Sequence, residues 1–303
     1  MLFPYLIQAT DENFQDFVKK NRDFISHKII ETGALLFRGY ELFSAEDFQQ
    51  AVVSIQPKLL NYIGGDSPRN KINDKIYTST SYPPEETISM HHEKSFSNIF
   101  PRFIYFFCEI EPQIGGETPL ADGREVFKKI PPGIIEKFSS RKLKYIMNMN
   151  NGEGIGRSWK EVLEVNTTTE AETLLDRLNI KYKWKENGYL QTEEVVNPII
   201  VHPETGEKIF FSQADQWHPS NLKSEVLEAM KEVLQEDDFY HNCRYADDTE
   251  IESDDLEAIR AVVRNERVFF KWKKGDFLMV DNLIAMHGRS PFEGERRILV
   301  AMS

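Results

Sequence analysis

Two short runs restrict this 303-residue chain more than anything else in it: Met90-His91-His92-Glu93, and Asp281-Asn282-Leu283-Ile284-Ala285-Met286-His287, roughly 190 residues later. A strand sends alternate side chains to the same side. His91 and Glu93 can therefore face one point while His92 faces away, which favours His91-x-Glu93 over His92-Glu93 as a chelating pair. Two histidines and one carboxylate are the ligand set that holds ferrous iron on one face and leaves the other open. For His287 to complete that set, a late strand must close over an early one. A barrel meets that demand.

The rest of the chain is compatible with one domain, residues 1–303, carrying helical insertions. Its hydrophobic fraction of 40% and its 21 phenylalanines suit a large packed core. A net charge of -12 argues against nucleic acid as a partner. The two cysteines, Cys108 and Cys243, suggest a reducing compartment with no disulfide framework. The N-terminus lacks the basic and apolar regions of a signal peptide, and no apolar run approaches the ~20 residues of a membrane span. The expectation is a cytoplasmic protein with no membrane partner.

Residue patterning predicts a helix from Asp11 to about Ile30, a buried strand at Ala34–Arg38, and a helix opened by Ser44 and Asp47 that runs to about Leu60. A Gly-, Pro- and Ser-rich loop follows, from Asn61 to Glu86. Strands are expected at Phe103–Ile110, Tyr182–Lys185, Val195–Val201, Lys208–Ser212, Val268–Lys273, Phe277–Val280 and Arg297–Met302. Helices are expected near Arg124–Lys129, Gly133–Ser139, Thr169–Leu178, Ser224–Leu234 and Asp254–Val263. Many short strands separated by turn signals indicate a mainly β sandwich or jelly-roll barrel with flanking helices.

Arg296 and Arg297 lie a few residues beyond His287. An arginine there can hold a carboxylate bidentately, as a keto acid bound to iron would require. Thr118 can donate a hydroxyl hydrogen bond to an acid group. The two arginines should face opposite sides of the last strand, and alternation alone does not say which faces inward.

Several runs together resemble the taurine dioxygenase-like (TauD/TfdA) family of Fe(II)/2-oxoglutarate dioxygenases. They are His91–Ser97, Pro101–Cys108, Gly115–Asp122, Gly275–Asn282, His287–Arg289 and Arg296–Val300. The resemblance implies a double-stranded β-helix, a cupin-like jelly roll. It implies His91, Glu93 and His287 on iron, with Thr118 and Arg297 on 2-oxoglutarate and O2 as the second cosubstrate. Glu93 stands where many members carry Asp, which is similar to the clavaminate synthase, asparagine oxygenase and SyrP-like hydroxylases. Sulfonate-specific members carry a further arginine four residues after the cosubstrate arginine. Counted from Arg297, that position is Ala301, which argues against a sulfonate substrate.

Gln213, Trp217, His218 and Ser95 are candidate substrate-side residues. The Asn- and Gly-rich segment Asn148–Arg157 reads equally as a lid or as a plain surface loop. The expected reaction is hydroxylation of an unactivated C–H bond in a small polar substrate, an amino acid or an amino-acyl unit carried on a partner protein in specialised metabolism. Desaturation and epoxidation are alternatives at the same site. A non-redox metal hydrolase is a rival reading, but it has no use for a keto-acid anchor. A non-catalytic barrel is a second rival, and an intact ligand set speaks against it.

Overall fold

A computed structural model describes residues 3–303 except 66–68, 74 and 81. Its centre is a six-stranded sheet in the order Tyr5–Gln8, Ala34–Arg38, Phe277–Asp281, Phe103–Ile110, Arg297–Met302, Tyr77–Thr78. The first pair is parallel. The remaining pairs are antiparallel. Late strands thus sit between early ones, the closure that the separation of His91 from His287 requires.

Both faces of this sheet are apolar because both are covered. Leu35, Phe37, Tyr105, Phe107, Phe277, Met279, Leu299 and Ala301 pack with the N-terminal helices. Their neighbours Leu36, Ile104, Phe106, Leu278, Val280, Ile298, Val300 and Met302 form the barrel interior with Leu120 and Ala285. Each fully buried Phe or Leu contributes about 1.5–3 kcal/mol.

The opposing sheet has three strands, Ile88–His91, Ala285–Arg289 and Leu120–Asp122, in that order. Outside the barrel, His241–Tyr245, Leu143–Met149, Leu190–Val196 and Lys181–Trp184 make a four-stranded sheet. It joins the largest apolar cluster with the helices Pro132–Arg141, Thr168–Leu178 and Ser253–Glu266. The fold is mainly β with flanking helices, a double-stranded β-helix, as expected.

Several local expectations are corrected. The first helix is two, Phe14–Lys20 and Arg22–Thr32, broken at Asn21. The Asn21 side chain donates to the Phe17 carbonyl at 2.9 Å and so caps the first helix. The third helix ends at Ile55, because Pro57 holds Gln56 in extended backbone, φ -137° and ψ 111°. Its start is as expected: Ser44 and Asp47 form a reciprocal capping box. Val268–Lys273 is not a strand; it contributes one bridge, Val268 to Leu120. Leu143–Met149 and His241–Tyr245 are strands that local patterning did not reveal.

Candidate active site

His91 ends its strand directly opposite His287, and their rings lie 4.4 Å apart. Glu93 follows in the turn after the strand. His91, Glu93 and His287 each offer a ligand atom, and these atoms lie within 4.8 Å of one another. All three side chains are buried. His91 Nδ1 faces the Ser89 carbonyl at 2.8 Å. A proton on Nδ1 leaves the Nε2 lone pair for a metal, the usual way an outer partner fixes a ligand tautomer. His287 Nε2 lies 3.8 Å from Glu93 Oε2. Burial and the neighbouring His91 hold the His287 imidazole well below its usual pKa, so it is neutral at pH 7. Two imidazoles and one carboxylate fit a divalent iron.

His92, the first residue after the strand, points the other way. It is wholly buried, with Nδ1 2.7 Å from the Asn282 carbonyl and Nε2 3.1 Å from that of Phe210. A Cβ at residue 123 would stand 3.0 Å from His92 Nε2 and 2.9 Å from the Ile209 side chain, which explains the glycine there. Gly288 answers a similar demand beside His287: a Cβ would meet the Ile88 carbonyl at 2.7 Å, so the absent side chain lets the two ligand strands close.

Asn282 is a positioning residue that sequence reasoning missed. Its Oδ1 accepts from the Glu93 amide at 2.7 Å, and its Nδ2 donates to the carbonyls of Glu93 and Pro101 at 3.0 and 2.9 Å. One buried side chain therefore clamps the backbone of a candidate ligand residue. Asn282→Ala orphans those buried groups at about 1–3 kcal/mol each. It is expected to weaken divalent metal binding about 10–100-fold, the range for outer partners. Anaerobic Fe(II) titration checks this; unchanged affinity would remove Asn282 from the site.

The ligand set opens onto a cavity lined by Arg69, Ser79, Thr118, Arg289, Arg296 and Ile298, among others. Here the structure corrects the sequence reading. Arg297 points outward, its side chain 43% exposed and paired with Glu109 at 2.7 Å. Arg296 points inward with Ile298. Its Nε donates to the Gly116 carbonyl at 2.9 Å, and Nη2 lies 3.5 Å from Thr118 Oγ1. Burial lowers its pKa to about 10, which leaves it charged at pH 7. Thr118 Oγ1 accepts from Trp272 Nε1 at 3.1 Å, so its own proton is free to donate into the cavity. Counting four residues from Arg296 gives Val300 instead of Ala301, again an apolar side chain in the core.

A second, larger cleft of about 320 Å³ shares Ile88 with this cavity. Trp217, His218, Tyr240, His241 and Tyr82 line it, as do Ile155 and Gly156 of the Asn- and Gly-rich segment. The Trp217 and His241 rings stack at 4.0 Å. Gln213 and Ser95 line neither space. Both are buried, and Ser95 Oγ bridges the His92 carbonyl at 3.0 Å and Gln213 Oε1 at 3.3 Å. They tie the ligand turn to the helix Ala214–Trp217.

Burial and the charge of Arg260 lower His218 to about pKa 4. The folded chain therefore keeps this ring neutral where the unfolded chain, at about 6.5, takes a proton. Stability from this group is present above pH 6.5 and lost as pH falls towards 4. The loss at pH 5 should approach about 2 kcal/mol. Urea melts at pH 7 and pH 5 should show it, and His218→Gln should shrink the difference by about that amount, the remainder coming from other buried histidines such as His92.

Among the described residues, no helix is long and apolar enough to cross a membrane. Residues 4–302 match the family described as taurine catabolism dioxygenase TauD, TfdA family. The chain is 32% identical over 285 residues to dapdiamide synthesis protein DdaC of Enterobacter agglomerans, covering 92% of this chain and 86% of that one. It is 28% identical to a clavaminate synthase-like protein of Arabidopsis thaliana, over 95% of this chain and 87% of the other. The fold is similar to that of PvcB from Pseudomonas aeruginosa, with a TM-score of 0.56 at 12% identity, covering 98% and 84% of the two chains. With a match that runs almost end to end and a two-histidine, one-carboxylate cluster inside the barrel, the chain belongs to the TauD/TfdA family and is an Fe(II)- and 2-oxoglutarate-dependent dioxygenase.

Proposed function

We propose that this dioxygenase hydroxylates an unactivated C–H bond of a small polar acid, an amino acid or a carrier-tethered amino-acyl unit. The reading is carried by one observation: the His91, Glu93 and His287 cluster opens onto the same cavity as Arg296 and Thr118. Those three side chains would hold iron. Arg296 and the Thr118 hydroxyl would receive the far carboxylate of 2-oxoglutarate, a charge-assisted pairing. Iron, when bound, supplies the redox chemistry that joins decarboxylation of 2-oxoglutarate to oxidation of the substrate. One oxygen atom of O2 ends in succinate and the other in the alcohol, with CO2 released.

The remaining work is positioning. The cleft beside the cavity is faced by aromatic rings and is small enough to hold a compact substrate and exclude water around it. The stacked Trp217 and His241 rings would form part of the wall a substrate meets. Val300 leaves no cation where sulfonate-specific members have one. DdaC takes its name from dapdiamide synthesis, and PvcB is described as an oxygenase from an isonitrile synthetic pathway. Both fit a role in specialised metabolism.

The test is a screen of free amino acids and their carrier-bound thioesters for substrate-dependent succinate release. A hydroxylated product gains one oxygen atom, while desaturation removes two hydrogens, so mass spectrometry of the product separates the outcomes. A metal hydrolase would turn over without consuming 2-oxoglutarate, and that result would sink the reading.

A further inference from the structure

We infer that His218 is a substrate-binding residue, a neutral N–H donor for an uncharged acyl carbonyl, so that the part of the substrate in the cleft is an amide, ester or thioester and not a free carboxylate. This rests on the dioxygenase reading above and narrows its substrate to the acyl form. The His218 ring is 8% exposed and belongs to the cleft wall. The Ser220 amide donates to its Nδ1 at 3.2 Å. Ser220 Oγ accepts from Arg260 Nη2 at 2.8 Å and lies 2.8 Å from the same Nδ1, so the hydroxyl proton is available to that nitrogen as well. An Nδ1 that accepts carries no proton, and the neutral ring then holds its proton on Nε2. Burial and the charge of Arg260 keep the ring neutral, with a pKa of about 4. Nε2 has no hydrogen-bond partner among the described residues.

The two preceding residues of the wall repeat the pattern. Trp217 Nε1 is buried and has no hydrogen-bond partner. Gln216 Oε1 accepts from Gln213 Nε2 at 2.8 Å, and the Gln216 NH2 has no partner among the described residues. Three consecutive lining residues thus carry unused N–H donors. A buried donor left unpaired is costly, and an incoming acceptor relieves that cost. Charge decides which acceptor. No arginine, lysine, aspartate or glutamate lines the cleft among the described residues. Arg260, which reaches Ser220, is paired with Asp215 and Glu257. Lys223, at the surface beside the lining, is paired with Glu86. A carboxylate buried in this cleft would meet donors without a counter-charge, whereas a carbonyl oxygen needs donors alone.

The test begins with the full chain, metal-free and labelled with 15N-histidine, observed by long-range 1H–15N correlation at pH 7. We expect His218 to be neutral with its proton on Nε2. The standard amino acids are then added one at a time as primary amides, as N-acetylcysteamine thioesters and as free acids. We expect at least one amide or thioester to move the Nε2 resonance, and the matching free acid to bind at least ~10-fold more weakly, the penalty for burying an unpaired charge. Calorimetry with the same compound should show His218→Phe about 3–10-fold weaker, the worth of one hydrogen bond. His218→Gln should recover part of that loss, because its NH2 can take the place of Nε2–H. Both variants should keep the parent's 2-oxoglutarate affinity, read from the charge-transfer band of the anaerobic Fe(II) enzyme. A charged ring, a proton on Nδ1, a free acid that binds as tightly as its amide, or unchanged affinity in His218→Phe would each overturn the inference. Silence from every amide and thioester would overturn it too. A parent that binds Fe(II) yet forms no charge-transfer band would overturn the cosubstrate reading instead, and the metal-free titration would still decide the role of His218.

Discussion

His91→Ala, Glu93→Ala and His287→Ala are each expected to abolish Fe(II)-dependent turnover, a loss of at least ~100-fold, because each removes one of the three side chains proposed to hold the metal. The fold should survive in all three, since the buried apolar clusters do not depend on these side chains. His92→Ala should behave differently. Its ring lies between the Asn282 and Phe210 carbonyls, turned away from the His91, Glu93 and His287 cluster. Removing it should cost stability, about 2–4 kcal/mol for a buried ring with a polar partner, while much of the metal affinity remains. Paired readouts settle the matter: anaerobic Fe(II) titration for the site and urea unfolding for the fold. If His92→Ala lost metal and His91→Ala kept it, the facing assigned to these side chains would be wrong.

The split of His91 and Glu93 from His92 was legible in four residues, although the strand ends at His91 and the turn that follows, and not strand alternation, carries Glu93 back to the His91 side. His91 and Glu93 meet His287, while His92 enters a wall of backbone carbonyls and Phe211. The last strand offered no such contrast. Ile298, Val300 and Met302 face the barrel interior; Leu299 and Ala301 face the N-terminal helices. A strand buried on both sides reads as a continuous apolar run, so the sequence could not tell Arg296 from Arg297. The tertiary covering of the outer face decided the matter. Asn282 and Arg69 were hidden for another reason. Their partners lie 189 and 24 residues away, and neither sits in a periodic pattern. The loop residue Arg69 acquires meaning only when the barrel brings Glu93 to it. The outer strands Leu143–Met149 and His241–Tyr245 were obscured similarly, since Leu143–Met149 pairs with His241–Tyr245 across almost a hundred residues and with Leu190–Val196 across more than forty.

Arg296→Ala should weaken 2-oxoglutarate binding by about 2–5 kcal/mol, the range for removing one partner of a buried, hydrogen-bonded charge pair. That is a loss of roughly 30-fold to several thousandfold in affinity. The arginine is placed for this: its Nε is fixed by the Gly116 carbonyl, which leaves the terminal nitrogens beside Thr118 and facing the cavity. Arg297→Ala removes only a surface pair with Glu109, its guanidinium 43% exposed, and should cost at most about 1 kcal/mol. Arg296→Lys should recover part of the loss, because it keeps the charge but not the planar fork. Thr118→Val should fall between the two alanine variants: it removes one hydroxyl donor and strands the Trp272 indole N–H that now donates to it. Titrating the charge-transfer band of the anaerobic Fe(II) enzyme with 2-oxoglutarate reads all four on one scale. Equal losses for Arg296→Ala and Arg297→Ala would mean that neither arginine holds the carboxylate directly, and the anchor would then have to be sought at Arg289 or Arg69, the other guanidinium groups lining the cavity.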